Sequence, residues 1–203
     1  MMLLSNHSGY NLEAGVDEVG RGCLAGPVVA AAVILPVDYR HSLLNDSKKL
    51  TRKQRELLRL DIVRDAQAWA VGEASPAEID EVNILQATYR AMHRALEKLG
   101  REPEYLLVDG NRFKPYRQVP HSCMVKGDGR YLSIAAASVL AKTYRDDLMC
   151  TLAEMHPCYG WEQNAGYPTR LHRNGIALHG TTAHHRLSFT LLPKQPESLQ
   201  GDI

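Results

Sequence analysis

Two adjacent carboxylates, Asp17 and Glu18, lie at the end of a short apolar segment, and only Val19 separates them from the turn Gly20-Arg21-Gly22. Adjacent residues of a β-strand point to opposite faces, so both carboxylates cannot face the core. At least one of them must open into a cleft or reach a cation. Glycines let a backbone approach a ligand closely, and a guanidinium group binds anions. The segment therefore predicts a metal and phosphate site rather than an ordinary turn.

Two further carboxylates lie in similar surroundings, because Asp109 ends an apolar segment and Asp128 is flanked by glycines. In open α/β sheets, ligands bind at the ends of strands, so these side chains could converge with Asp17 and Glu18. Four close carboxylates would raise one another's pKa values, and a cation offsets that repulsion. Ligation by oxygen alone favours Mg²⁺ or Mn²⁺ over zinc. On the residues alone, simple Asp-Gly and Gly-Asp-Gly turns remain an alternative.

The elements that must position these carboxylates can be predicted from the spacing of apolar residues and from the glycine, proline and capping residues at which elements begin and end. Strands are expected at 12–20, 26–35, 68–72, 105–108 and 121–125, the first two forming a hairpin across the glycine-rich turn. Helices are expected at about 52–65, from Ser75, from Ile84 to Leu99, from Ser133 to Met155 and at 168–179. An antiparallel pair followed by helix-linked strands predicts an α/β mixed sheet covered by helices.

The composition fits one globular domain, with 203 residues, 44% hydrophobic and 23% charged. We expect a single domain over 1–203, with a core over about 10–160, a helical cap over about 161–192 and a flexible tail over about 193–203. The net charge of +1 does not indicate nucleic-acid binding. However, residues 163–196 contain no Asp or Glu. That stretch could face a polyanion or form a solvated helix face.

The cysteines and the terminal segments argue for a cytoplasmic protein. The four cysteines form no C-x-x-C pair, so zinc spacing is absent and no disulfide framework is expected. No apolar run is long enough to cross a bilayer, and the first residues lack the pattern of a signal peptide. We therefore expect no membrane partner.

An ordered set of short motifs covers residues 15 to about 190. It consists of GVDEVGRG (15–22), LNDSKKL (44–50), NIL (83–85), LLVDGN (106–111), KGD (126–128), AAASVLAKTYRD (135–146), GYPT (166–169) and HHR-SF (184–189). The set resembles bacterial ribonuclease HII, the type 2 ribonuclease H. The resemblance implies a ribonuclease H-like mixed five-stranded sheet flanked by helices, with a C-terminal helical extension. It also implies that Asp17, Glu18, Asp109 and Asp128 are catalytic and hold two Mg²⁺ or Mn²⁺ ions.

The activity implied by the resemblance is endonucleolytic hydrolysis of the RNA strand of RNA–DNA hybrids. It includes nicking on the 5′ side of single ribonucleotides embedded in duplex DNA, leaving a 3′-hydroxyl and a 5′-phosphate. Such an enzyme serves ribonucleotide removal and RNA primer degradation. The 2′-hydroxyl is the chemical mark of the ribonucleotide. The resemblance assigns its recognition to the backbone of Gly20, Arg21 and Gly22, and the stacking on the next deoxynucleotide sugar to Tyr167.

Other contacts are less specific in sequence. Lys48, in the DSKKL loop, could touch a phosphate or be solvated surface. Ser138 and Lys142 lie four residues apart on a helix and could reach the nucleic-acid backbone. For His184 and His185, which resemble a pair typical of the family, we expect packing or a capping bond.

Two positions depart from the family pattern. Cys23 lies where members commonly have proline, a change expected to loosen the turn. Asn164-Ala165 replace a common His-Lys pair, which puts affinity in question.

Three alternatives remain open at this point. Ribonuclease HIII usually carries Gly-Lys-Gly in this turn and an N-terminal substrate-binding domain, and the eukaryotic type 2 subunit is typically longer and needs partners. A non-catalytic, metal-dependent nucleic-acid-binding module would bind without nicking. We expect a monomer without an obligatory protein partner. The tail 196–203 could be disordered or bind a partner such as a sliding clamp, although no convincing motif supports the latter.

Overall fold

A computed structural model describes residues 3–44 and 50–193. Its five strands are β1 (Glu13–Val19), β2 (Val28–Ile34), β3 (Ala68–Ala74), β4 (Tyr105–Asp109) and β5 (His121–Met124). Its helices are α1 (Arg52–Asp65), α2 (Pro76–Glu97), α3 (Leu132–Met155), α4 (Trp161–Asn164) and α5 (Arg170–His179). The strands form one sheet in the order β3-β2-β1-β4-β5. The predicted five-stranded mixed sheet flanked by helices is confirmed.

The sheet register places the first carboxylates. β1 and β2 form the predicted antiparallel hairpin, with Asp17 opposite Ala31. On its other side β1 pairs in parallel with β4, with Val16 opposite Val108. Because parallel strands end at the same edge of a sheet, Asp17 and Asp109 come to lie side by side one residue further on.

Helices cover both faces of the sheet. α2 packs with the side chains on one face of β1, β2 and β4, and α1 and α3 pack on the other face. Thr51 begins α1 with a capping box that includes Gln54, as its predicted N-cap role requires. The helices predicted from Ser75 and from Ile84 are a single helix, α2, with Ser75 as its N-cap. The backbone of α2 is non-helical at Asn83, just before the second predicted start. The side-chain oxygen of Asn83 accepts hydrogen bonds from the N–H groups of Leu85 and Gln86, so it restarts the helix.

The last described part of the chain packs across the end of α3 and the loop that follows β1. A hydrophobic cluster joins Leu24 and Met149 to Trp161 and Ile176 of the C-terminal segment. This segment therefore rests on the loop that contains the Gly20-Arg21-Gly22 turn. Within the described residues, no helix is both long and apolar enough to cross a membrane.

Candidate active site

Three of the four predicted carboxylates share one cavity. Asp17 and Glu18 at the end of β1 and Asp109 at the end of β4 line a cleft of about 440 Å³. Asp17 is buried, with 6% of its surface exposed, whereas Glu18 and Asp109 are half-buried. The strand ends therefore bring together residues that lie more than ninety positions apart in the chain.

The fourth carboxylate, Asp128, lies next to this cleft rather than in its lining. It belongs to a short 3-10 turn, Gly127–Gly129, and is buried. The turn is tied to the site because the N–H of Gly127 donates to Asp109 Oδ1 at 2.7 Å. Asp128 is therefore adjacent to Asp109 through its turn.

The carboxylates raise one another's proton affinity. Burial, followed by the charges of Glu18 and Asp109, raises the pKa of Asp17 well above its ordinary value. Hydrogen bonds from the Ser138 hydroxyl and the Glu18 N–H oppose that rise. Burial also raises the pKa of Glu18, against the effect of Arg21. A cation among these groups would relieve both the desolvation and the repulsion.

The donor set fits a hard cation. Within residues 3–44 and 50–193, no three His, Cys, Asp or Glu side chains are already arranged as a metal site. The converging groups of Asp17, Glu18 and Asp109 nevertheless offer carboxylate oxygens, the ligands that Mg²⁺ and Mn²⁺ prefer. These residues, with neighbouring Asp128, are therefore the ones that would hold such ions.

The Gly20-Arg21-Gly22 turn lies beside the carboxylates. Gly20 has φ +90°, and a Cβ there would collide with the side chain of Arg145. A Cβ at Gly22 would meet no atom within 4 Å, so packing does not require that glycine. The Arg21 guanidinium pairs with Glu18 Oε1 at 3.1 Å. Gly20 is thus explained by the fold, whereas Gly22 leaves open space at the surface of the turn.

Three of the four side chains predicted to contact substrate line the carboxylate cleft, and the fourth lies outside the described residues. Tyr167, Ser138 and Lys142 all line the carboxylate cleft. Lys142 also pairs with Asp146 at 2.5 Å. Lys48 lies outside the described residues.

Cys23 and Asn164, which depart from the family pattern, both make hydrogen bonds within turns that border the cleft. Cys23 is fully buried, and its N–H donates to the Gly20 carbonyl at 3.4 Å, a bond that a proline could not make. Its thiol and the Tyr167 hydroxyl are hydrogen-bonded, while burial raises the pKa of both groups. Asn164 accepts the Gly166 N–H at 2.8 Å and so shapes the turn before Tyr167.

The histidine pair packs as predicted. Buried His185 accepts the Thr182 N–H at 2.9 Å through Nδ1, and its Nε2 lies 3.2 Å from His172 Nε2. His172 in turn contacts the Tyr167 carbonyl through Nδ1 at 3.0 Å. Together these side chains support the segment that presents Tyr167.

Sequence reasoning missed several residues around the cleft. Arg55 lines it and lies 3.6 Å from Asp146. A second cavity of about 300 Å³, on the α2 side of Glu18 and Asp109, is lined in part by Arg21 and Arg112. Unlike Arg21, Arg55 and Arg112 belong to none of the sequence motifs, so only their proximity to the carboxylates identifies them.

The sheet order β3-β2-β1-β4-β5, with carboxylates at the ends of the adjacent strands β1 and β4, defines the class of protein, one with a ribonuclease H-like fold. Residues 14–192 match the family model for ribonuclease HII, and the chain belongs to that family. It is 63% identical over 196 residues to the ribonuclease HII of Cytophaga hutchinsonii, covering 96% of this chain and 97% of that protein.

Two solved structures are similar throughout. The PCNA:RNase HII complex from Archaeoglobus fulgidus matches with 27% identity and a TM-score of 0.73, covering 91% of this chain and 98% of that one. Ribonuclease H2 from Pyrococcus horikoshii matches with 26% identity and a TM-score of 0.74, covering 88% and 94%.

Family membership decides between the alternatives for the activity. Ribonuclease HII is a divalent-metal-dependent endonuclease that hydrolyses RNA in RNA–DNA hybrids, and this chain is such an enzyme. The alternatives of a non-catalytic binding module and of a ribonuclease HIII are not supported.

Proposed function

We propose that this enzyme nicks duplex DNA on the 5′ side of single embedded ribonucleotides, in addition to cutting longer hybrids, and leaves a 3′-hydroxyl and a 5′-phosphate. Asp17, Glu18, Asp109 and Asp128 would hold two Mg²⁺ or Mn²⁺ ions. The observation that carries the proposal is the single cleft shared by Asp17, Glu18, Asp109 and Tyr167. Two bound ions supply activation of water and stabilisation of the leaving 3′ oxygen.

The chain's own groups would orient and select the substrate. Ser138 holds the Asp17 carboxylate by a hydrogen bond. Lys142 lines the same cleft and would contact a backbone phosphate, as would Lys48 in the loop outside the described residues. Gly22 leaves space for close approach of a ribose, so the turn would read the 2′-hydroxyl. Tyr167 would stack on the deoxynucleotide sugar that follows.

The domain organisation, the oligomeric state, the location and the cellular role are also proposed. We propose that residues 1–203 act as one catalytic domain, as a cytoplasmic monomer with no obligatory protein partner, in ribonucleotide removal and RNA primer degradation. The tail 194–203 lies outside the described residues, so its predicted flexibility and any partner remain predictions.

The decisive experiment uses a DNA duplex with one embedded ribonucleotide, tested in Mg²⁺, in Mn²⁺ and in EDTA. The wild type should nick 5′ to the ribonucleotide only with metal, and Asp17→Asn should bind the duplex but lose about 10²-fold or more in cleavage rate. Glu13→Gln is the matched control, since Glu13 is a buried carboxylate of the same strand that accepts the N–H of Ser8 at 2.7 Å, away from the cleft. Intact ribonucleotide duplex, or equal cutting of plain DNA, would refute the proposal.

A further inference from the structure

Two arginine side chains are completely buried beneath the candidate substrate-reading turn. Arg145 of α3 and Arg186 near the end of the described chain each have 0% of their surface exposed. Burial of a guanidinium is costly unless its N–H groups are satisfied. Both arginines donate to backbone carbonyls, which places two positive groups inside the protein below the turn.

Arg186 is bonded to the turn itself. Its Nη2 donates to the Gly20 carbonyl at 2.7 Å and its Nη1 donates to the Arg21 carbonyl at 2.9 Å. Its Nε donates to the Gly26 carbonyl at 3.0 Å, where the connection returns toward β2. One planar group therefore fixes both ends of the connection between β1 and β2.

Arg186 is itself held from both sides. The backbone N–H of Arg186 donates to the Leu24 carbonyl at 2.9 Å. Two residues earlier, the His184 carbonyl accepts the Gly26 N–H at 2.8 Å. On the other side, Asp80 of α2 accepts the N–H groups of Leu187 at 2.8 Å and Ser188 at 3.0 Å. The guanidinium is thus attached to a clamped segment rather than to a free loop.

We propose that Arg186 is a positioning residue for ribonucleotide selection, because it sets the conformation of the Gly20-Arg21-Gly22 turn from below. The inference rests on the proposed reading of the 2′-hydroxyl by that turn. A guanidinium holds several acceptors in one plane, whereas a lysine ammonium has no such fixed geometry. The charge is less important than the planar fork that aligns the carbonyls of Gly20 and Arg21.

The test compares Arg186→Lys with Arg145→Lys in an Asp17→Asn background that keeps the substrate intact. Arg145 is the matched control because it is equally buried and also packs below Gly20, but its guanidinium donates to the carbonyls of Ala25, Pro27 and Ala165 rather than to carbonyls of the turn. The measurement is the ratio of Kd values for an all-DNA duplex and the same duplex with one ribonucleotide. Arg186→Lys should reduce this preference about tenfold and leave the all-DNA Kd within about twofold. Arg145→Lys should leave the preference within about twofold while lowering the melting temperature.

The outcomes separate the two claims. If folded Arg186→Lys keeps the full preference, the positioning role is wrong while the proposed function stands. If the wild-type turn shows no preference, the proposed function fails and the inference fails with it. Should Arg186→Lys not fold, Asp80→Asn loosens the same segment with the guanidinium retained. It should reduce the preference about threefold and speed hydrogen exchange at the N–H groups of Arg21 and Gly22, and an unchanged preference there overturns the inference.

Discussion

The backbone N–H of Gly127 donates to Asp109 Oδ1 at 2.7 Å, which ties the turn that carries Asp128 to the end of β4. Asp109 is therefore oriented by the loop that follows the neighbouring strand. Because Asp128 directly follows Gly127, the same hydrogen bond keeps the carboxylate of Asp128 near that of Asp109. The site is built from strand ends and from one turn bonded to them.

The glycines of the turn should separate folding from substrate reading. Gly20→Ala places a Cβ against Arg145 at a positive φ and should destabilise the protein by about 1–3 kcal/mol. Gly22→Ala meets no neighbouring atom, so its free energy of unfolding should change by less than about 0.5 kcal/mol. It should nevertheless lower kcat/KM at single ribonucleotides about tenfold or more, because the added methyl occupies the space for the ribose. Urea unfolding and cleavage assays check both halves, and full activity of Gly22→Ala would contradict the second.

Tyr167 should matter most where a ribonucleotide meets DNA. We expect Tyr167→Ala to reduce cleavage at a single embedded ribonucleotide about tenfold or more, with a smaller loss on a long RNA–DNA hybrid, because stacking on the deoxynucleotide sugar is lost. Tyr144→Ala is the control, since Tyr144 has 39% of its surface exposed against 40% for Tyr167 and does not line the cleft. Equal losses on the two substrates would argue against recognition of the junction.

Removal of one carboxylate should stabilise the metal-free protein. The raised pKa of Asp17 shows that its ionised form costs free energy in the fold. In EDTA at pH 7, Asp17→Asn should therefore melt roughly 2–4 °C higher than the wild type. Mn²⁺ should raise the melting temperature of the wild type more than that of the variant. A lower melting temperature for Asp17→Asn in EDTA would show that its ionised carboxylate is not a strain on the fold.

The buried histidines should make the protein sensitive to acid. Burial, reinforced by His172, lowers the pKa of His185 to about 4, below the ordinary value of about 6.5. Between these values the unfolded state binds more protons, so stability is complete above about pH 6.5 and falls as the pH approaches about 4. The loss through His185 should be on the order of 3 kcal/mol. Urea unfolding from pH 4 to pH 7 should show a flatter profile for His185→Gln, and an identical slope would count against the prediction.

Much of the fold followed from local patterns. The apolar run Val28–Ile34, the capping residue Thr51 and the spacing of the apolar residues in α2 each determine an element through short-range chemistry. The grouping of Asp17 with Asp109 was also predictable, since both end apolar strands. The roles of Arg145 and Arg186 were not, because an arginine at a buried position is indistinguishable in sequence from one on the surface.

The sequence by itself determined the chemistry that is available: carboxylates beside a Gly-Arg-Gly turn, on elements whose periodicity requires a helix-covered sheet. Only the tertiary structure decided which groups meet. The parallel pairing of β1 with β4 put Asp17 next to Asp109. Packing of the C-terminal segment on the loop after β1 brought Arg186 under Gly20. Contacts of this kind depend on register and on packing between distant segments, and no local propensity records them.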